Sequence, residues 1–414
     1  MPHAGTRIPC GDRAVWSYLV GDESTWTHSY RFREIDRDGN DVIPERAIDE
    51  FRPNYNLHGR ACVDGMRWFV WSESFDGDVY ARIFDSFGDP LGPAFTVADQ
   101  QDARWDLVTL ASGAGRVVVT FYRDREPTSV PPTDLVMRVY SPTGTLLSPL
   151  LPVANHQAPY WNEPADTVIR DDGAIIQVFV RFGGAEGCQT FTSITSPGFD
   201  HVSQSPITGA GLAAGGFLYS AEVGLRALVA PVSPPSILVV PLSSTGQAVG
   251  PPQPFLSTNR MSSISEAPDG SAVISVSDTN RPRAFWFDPF DQLTVGDVDV
   301  TRPTDAPRRV GGRLAMSDEG VIWTGFADTS SLGEPGQKHM TILRPIVPGD
   351  MTGDGRLDNF DIDPFVLALV DRDAYAAVYP QNANIIDALG DMDGDGLLTN
   401  FDIDPFVDAL VNGP

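Results

Sequence analysis

Seven short apolar runs recur along residues 13–328. They read RAVWSYL (13–19), RWFVWSES (67–74), RVVVTFYR (116–123), AIIQVFVR (174–181), LRALVAPV (225–232), SAVISVSD (271–278) and GVIWTGFAD (320–328). Their first residues lie 46 to 58 apart. Each run is β-branched and apolar on both faces, which predicts a strand covered on both sides. Helical periodicity is almost absent before residue 346, so the pattern predicts a body of repeated β units.

Turn signals keep the same rhythm. A tight turn precedes the run at Asp64-Gly65, Asp172-Gly173, Asp269-Gly270 and Glu319-Gly320, with Gly115 and Gly224 in the same role. A second hairpin follows, with Gly39, Gly88, Gly144, Gly198 and Gly246 in phase and Asp291 in the sixth place. The result is four antiparallel strands per unit. A unit this short cannot bury its own faces and must stack on neighbours, as the blades of a β-propeller do. Residues 1–346 are therefore expected to be all-β: a propeller of seven four-stranded blades, or six with an accessory piece. The seventh repeat stops after HMTILRPI (339–346), and residues 1–9 are the candidate donor of its missing outer strand.

Residues 349–414 follow another pattern. DMTGDGRLDNFDIDPFVLALV (350–370) returns as DMDGDGLLTNFDIDPFVDALV (391–411), offset by 41 residues. Calcium takes six to eight oxygens, and a twelve-residue loop supplies them from positions one, three, five, seven, nine and twelve, with Gly at six for the turn. In the first loop these are Asp350, Thr352, Asp354, the carbonyl of Arg356, Asp358 and Asp361, with Gly355 at the turn. In the second they are Asp391, Asp393, Asp395, the carbonyl of Leu397, Thr399 and Asp402, with Gly396 at the turn. The cofactor expected is calcium, two ions. Asp363-Pro364 and Asp404-Pro405 then read as helix starts, Asp as N-cap and Pro at the first helical position. Phe365, Val366, Leu369 and Val370 mark one apolar face, as do Phe406, Val407 and Leu410.

A duplicated loop–helix with Asp at position twelve resembles the type I dockerin family, in the wording found in secreted planctomycete proteins. The match covers about 350–411. The resemblance implies a small helical calcium-binding domain that docks extracellular proteins, often polysaccharide-degrading enzymes, onto a cohesin-like or surface partner. The chain departs from the family in its longer repeat spacing, in Thr352 as third ligand, and in the Asn-Phe pairs Asn359-Phe360 and Asn400-Phe401, where many dockerins carry small hydroxyl residues. The body more weakly resembles propeller-like repeats of secreted bacterial proteins.

Charge narrows the partners. The chain carries a formal −26, of which about −12 sits in the tail, where 14 aspartates face two arginines. An acidic body argues against nucleic acid and anionic membrane. No apolar run is long enough to span a bilayer. The opening MPHAGTRIPCGDRAVW lacks the apolar core of a signal peptide. The expected location is still extracellular or cell-surface, which requires an unusual export signal or a start codon placed late. Cys10, Cys62 and Cys188 form no metal motif. Cys10 and Cys62 pair only where neighbouring strands meet, and single buried thiols are the main expectation.

Inter-blade loops supply a candidate ligand face of Arg60, Arg104, Trp105, Tyr160, Trp161, Glu163, Arg260 and Arg308. Trp beside Arg and a carboxylate suits a glycan or an anionic group. Glycoside hydrolysis needs two carboxylates about 5–10 Å apart. Glu73, Asp76, Asp124, Glu163 and Glu222 are expected in loops, but no spacing singles out a pair. The leading expectation is a non-catalytic extracellular binding and docking protein. The alternative is a propeller glycoside hydrolase or lyase recruited by its dockerin-like tail.

Overall fold

A computed structural model of the chain describes residues 6–22, 27–49, 52–53, 55–73, 78–99, 108–124, 133–154, 161–182, 188–207, 212–220, 224–231, 237–256, 261–266, 272–278, 281–287, 293–299, 309–316, 322–328, 338–343 and 346–412. It divides into two compact units, Met1–Ile342 and Leu343–Pro414.

The first unit is a succession of antiparallel sheets, seven among the described residues. The second sheet shows the plan. Its strands Tyr55–Val63, Met66–Glu73, Val79–Phe84 and Phe95–Ala98 follow one another in space as in sequence. The seven apolar runs are the second strands of the seven sheets: Arg13–Asp22, Met66–Glu73, Arg116–Asp124, Ile175–Phe182, Gly224–Pro231, Ala272–Asp278 and Ile322–Asp328.

Packing explains why these runs are apolar throughout. In Met66–Glu73, Trp68 and Val70 join a core with Val117, Val119 and Phe121 of the third sheet. The alternate residues Phe69 and Trp71 join Val15, Phe32 and Ile43 of the first sheet. One strand thus feeds two cores, because its sheet lies between two others. Val118 and Phe179 share the next core, and Val178 and Val229 the one after. Burying one such side chain fully is worth roughly 1.5–3 kcal/mol.

In the second and third sheets the hairpins between first and second strands use two-residue turns with both residues left-handed, as right-twisted strands favour. Asp64 and Gly65 have φ of 49° and 74°, and Ala114 and Gly115 have 46° and 65°. The turn after the third strand recurs as DRDGN, DSFGD, SPTGT, SPGFD and SSTGQ. In each, the side-chain oxygen of the first residue (Asp36, Asp85, Ser141, Ser196 or Ser243) accepts the backbone N–H four residues on. Gly39, Gly88, Gly144 and Gly246 take the left-handed fourth place. In the fourth sheet that place falls to Phe199, at φ 72°, one residue after Gly198. The sequence rhythm was off by one there because Gly198 is the third residue of its turn.

The first strands, by contrast, are more mixed in polarity. Successive ones come within 8 Å at Cα, and Arg309–Met316 of the seventh sheet is likewise near Thr6–Cys10 of the first. Among the described residues the seventh sheet has three strands, Arg309–Met316, Ile322–Asp328 and Lys338–Leu343. The described part of the candidate donor does not complete it: Thr6–Cys10 pairs with Arg13–Asp22 inside the first sheet, and residues 1–5 lie outside the described residues. A hairpin partner two residues away costs far less loop-closure entropy than one at the far end of the chain.

The first and second sheets are also fastened chemically. Arg67 Nε donates to Glu34 Oε2 at 2.6 Å, both side chains being buried. Cys10 and Cys62 form a disulfide with a Cα–Cα distance of 5.4 Å. The expectation of single buried thiols is therefore corrected for these two, whose strands are neighbours. Cys188 is free and buried.

The second unit is helical: α1 (Ile362–Val370), α2 (Arg372–Val378), α3 (Ile386–Gly390) and α4 (Ile403–Asn412). Short 3-10 turns, Asn359–Asp361 and Asn400–Asp402, lead into α1 and α4. Phe365 and Phe406 stack with centroids 4.0 Å apart, over a core of Met351, Ala368, Tyr375, Leu389 and Leu398. The buried face of α1 is thus Phe365 with Ala368. Val366 and Val370, expected on the inner face, are exposed, as are Val407 and Val411. A tight aromatic stack draws the two helices together, with Leu369 and Leu410 packed partly against the core and the valines left outside.

Candidate metal centre

The two acidic loops keep one hydrogen-bond pattern at an interval of 41 residues. Asp350 Oδ1 accepts from Gly353 N at 2.7 Å and Oδ2 from Gly355 N at 2.7 Å. Asp391 does the same with Gly394 N at 2.8 Å and Gly396 N at 2.9 Å. All four glycines have positive φ, which lets the chain coil tightly enough to present successive N–H groups to one carboxylate. The twelfth residue closes each loop. Asp361 accepts from Thr352 N and Asp358 N, both at 2.9 Å. Asp402 accepts from Asp393 N at 3.0 Å and Thr399 N at 2.7 Å. Asp361 and Asp402 are fully buried and also form capping boxes with Asp358 and Thr399.

Electrostatics separate the loops. In the second, carboxylate oxygens of Asp391, Asp393 and Asp395 all lie within 4.8 Å of one another. Like charges 4 Å apart repel by roughly 1 kcal/mol in water and 4 kcal/mol at a protein surface. A hard divalent cation relieves that repulsion, and an all-oxygen donor set suits calcium. The donor set therefore fits the ion. In the first loop Thr352 stands where the second has Asp393, and its Oγ1 donates to Asp350 Oδ1 at 3.2 Å. Burial, with the charge of Asp350, raises the Asp361 carboxyl above its ordinary range. Burial pushes Asp402 the same way, but the donors Thr399, Met392 and Asp393 outweigh it and hold that carboxyl low. Asp354, Arg356, Asp395 and Leu397 are exposed, as groups at a loop's rim should be.

Beside the loops runs an apolar groove of about 810 Å³ between α1 and α4. Ile362, Val366 and Leu369 line one side, and Ile403, Val407 and Leu410 the other. Phe360 and Phe401 lie just beyond, 78% and 72% exposed.

The expected propeller face is described only in part. Arg60 lies in the strand Tyr55–Val63, where its Nε donates to Ser17 Oγ of the first sheet. Trp161 and Glu163 lie in Trp161–Ile169, opposite Phe182 and Val180. All three were expected in loops. Polar first strands were mistaken for loops because they lack the apolar density of the second strands. Arg104, Trp105, Tyr160, Arg260 and Arg308 fall outside the described residues. Glu73 and Asp124 end strands rather than sit in loops, and Asp76 and Glu222 are again outside the described residues. Sequence reasoning also passed over the buried Glu34–Arg67 pair and the Arg372–Asp387 pair. Neither has a local signal, since each joins residues distant in sequence.

Fold and loops together define a class: a β-propeller body followed by a duplicated acidic loop–helix unit. No protein-family model matches the chain, and no curated protein matches its sequence. Solved structures do match its fold. The β-propeller domain of the Trilobed protease from Pyrococcus furiosus, described as having an open velcro topology, aligns over 82% of this chain and 95% of its own, with 7% identity and a TM-score of 0.50. Hydrazine synthase from Kuenenia stuttgartiensis aligns over 84% and 96%, with 11% identity and a TM-score of 0.51. Acylaminoacyl peptidase from Pyrococcus horikoshii aligns over 82% of this chain and 51% of its own, with 8% identity and a TM-score of 0.51. The chain thus spans about half the length of that peptidase. These likenesses concern the fold alone. Among the described residues, no helix is long and apolar enough to cross a membrane.

Proposed function

We propose that this chain is an extracellular binding and docking protein, with a seven-bladed propeller and a tail that becomes adhesive when it holds two calcium ions. The observation that carries the reading is the convergence of Asp391, Asp393 and Asp395 above the buried Asp402. The ion supplies the positive charge that lets these carboxylates share one loop. The chain's own residues do the rest: Gly394 and Gly396 hold the coil, Asp402 ties its two ends, and Phe406 transmits the loop's position to α1 through Phe365. Asp350, Thr352, Asp354, Arg356, Asp358 and Asp361 serve the first loop in the same way.

In this reading the groove between α1 and α4 receives a cohesin-like or surface protein, because its apolar lining is ordered only when both loops are. The propeller offers its loops to a partner or glycan. The proximity of Arg309–Met316 to Thr6–Cys10, with no strand exchanged among the described residues, supports a ring closed by packing. The Cys10–Cys62 bridge supports maturation in an oxidising compartment. No observation among the described residues favours the hydrolase or lyase reading.

The test is thermal melting of the whole chain with calcium and with EDTA, followed at helical and β wavelengths. Chelation should melt the helical signal early and leave the β transition in place. Coincident curves under both conditions would defeat the proposal.

A further inference from the structure

The seventh-position ligand of the second loop is a backbone carbonyl, and nothing in the loop itself aims it. Leu397 C=O shares a planar trans peptide with Leu398 N–H, so the two groups point in opposite directions. That N–H donates to Asp387 Oδ1 of α3 at 3.0 Å. The carbonyl is thereby turned away from Asp387, which lies outside the loop. Arg372 of α2 holds Asp387 with a fork, Nη1 to Oδ2 at 3.0 Å and Nη2 to Oδ1 at 2.6 Å. The same Nη2 donates to Leu398 O at 3.1 Å, fixing the next peptide plane. Leu398 itself is buried, so both planes are anchored on one core residue.

The first loop lacks this device. The residue 41 places before Asp387 is Ile346, which has no carboxylate. The fork is therefore not part of the duplicated unit; it comes from the segment between the two loops.

We infer that Asp387, held by Arg372, is a positioning residue for the second cation loop, setting its affinity for calcium without being a ligand. The inference rests on the proposed calcium reading. Partners that orient a metal's ligands typically change its affinity 10–100-fold when removed. The lower end is expected here, because both side chains are partly exposed and water competes for them.

The test is calcium titration calorimetry on the full chain with one loop disabled at a time. Asp350→Ala leaves the second loop, and Asp391→Ala leaves the first. Adding Asp387→Ala should weaken the second loop about tenfold and leave the first unchanged. Asp387→Asn, which still accepts from Leu398 N–H, should recover most of the loss. Helical signal at saturating calcium should be the same in all variants. The inference is overturned if Asp387→Ala leaves the second loop's affinity intact. It is equally overturned if both loops weaken together and Asn gives no rescue, the mark of general unfolding. A flat titration of the unsubstituted chain would remove the calcium reading itself, and this inference with it.

Discussion

The body and the tail fold by opposite means. The second sheet of the body is held between two neighbours, and its second strand is apolar on both sides because both sides are covered. The tail has one small core, a single aromatic stack and buried carboxylates beneath its loops. Charge destabilises the tail where burial stabilises the body. On the proposed calcium reading, one chain holds a region stable by itself and a region whose order depends on a ligand.

The contrast can be broken from either side. The largest effect is expected for Trp68→Ala. Trp68 is fully buried between the second and third sheets and its Nε1 donates to Pro142 O at 2.7 Å. The change should cost the body about 3–5 kcal/mol, read as a lowered β transition in denaturant, with the helical signal of the tail unmoved. Next comes removal of calcium. At a free concentration one hundred times its dissociation constant, a bound ion stabilises by about 2.7 kcal/mol, and EDTA should take that from the tail alone. Smaller is Ser141→Ala, which deletes the side-chain bond to Thr145 N in a recurring turn. A loss of about 0.5–1.5 kcal/mol is expected, confined to the body.

Smallest is the response to acid. The Arg372 fork and the Leu398 N–H hold the Asp387 carboxyl below its ordinary value. A depressed carboxyl adds stability that is complete above its unfolded-state pKa and is lost as pH falls through the folded one. Between pH 5 and lower values the tail should therefore weaken slightly, by well under about 1 kcal/mol because the pair is solvent-screened. Asp387→Asn should flatten that slope.

How much was legible beforehand follows from the same contrast. The seven second strands could be read because double burial leaves a dense apolar run. The turns could be read because left-handed positions favour Gly, and among the described turns the misplacement fell where Phe199 takes that conformation; Asp269-Gly270, Asp291 and Glu319-Gly320 lie outside the described residues. First strands were read as loops at Arg60, Trp161 and Glu163, since a strand with mixed polarity carries no periodic signal. The disulfide, the Glu34–Arg67 pair and the pairing of Thr6–Cys10 depend on which strands are neighbours, which only the fold decides. In the tail the coiled acidic loops could be read from spacing, because backbone N–H groups gathered on Asp350 and Asp391 make a local structure. The inward face of α1 was misjudged at Val366 and Val370, because stacking of Phe365 on Phe406 chooses the buried side.

Calcium titration calorimetry on the intact chain tests the central claim most directly. Two molar equivalents of heat should appear, and Asp391→Ala should abolish one of them. A trace without heat at protein concentrations well above the expected dissociation constant, together with unchanged amide signals in the tail, would contradict the account.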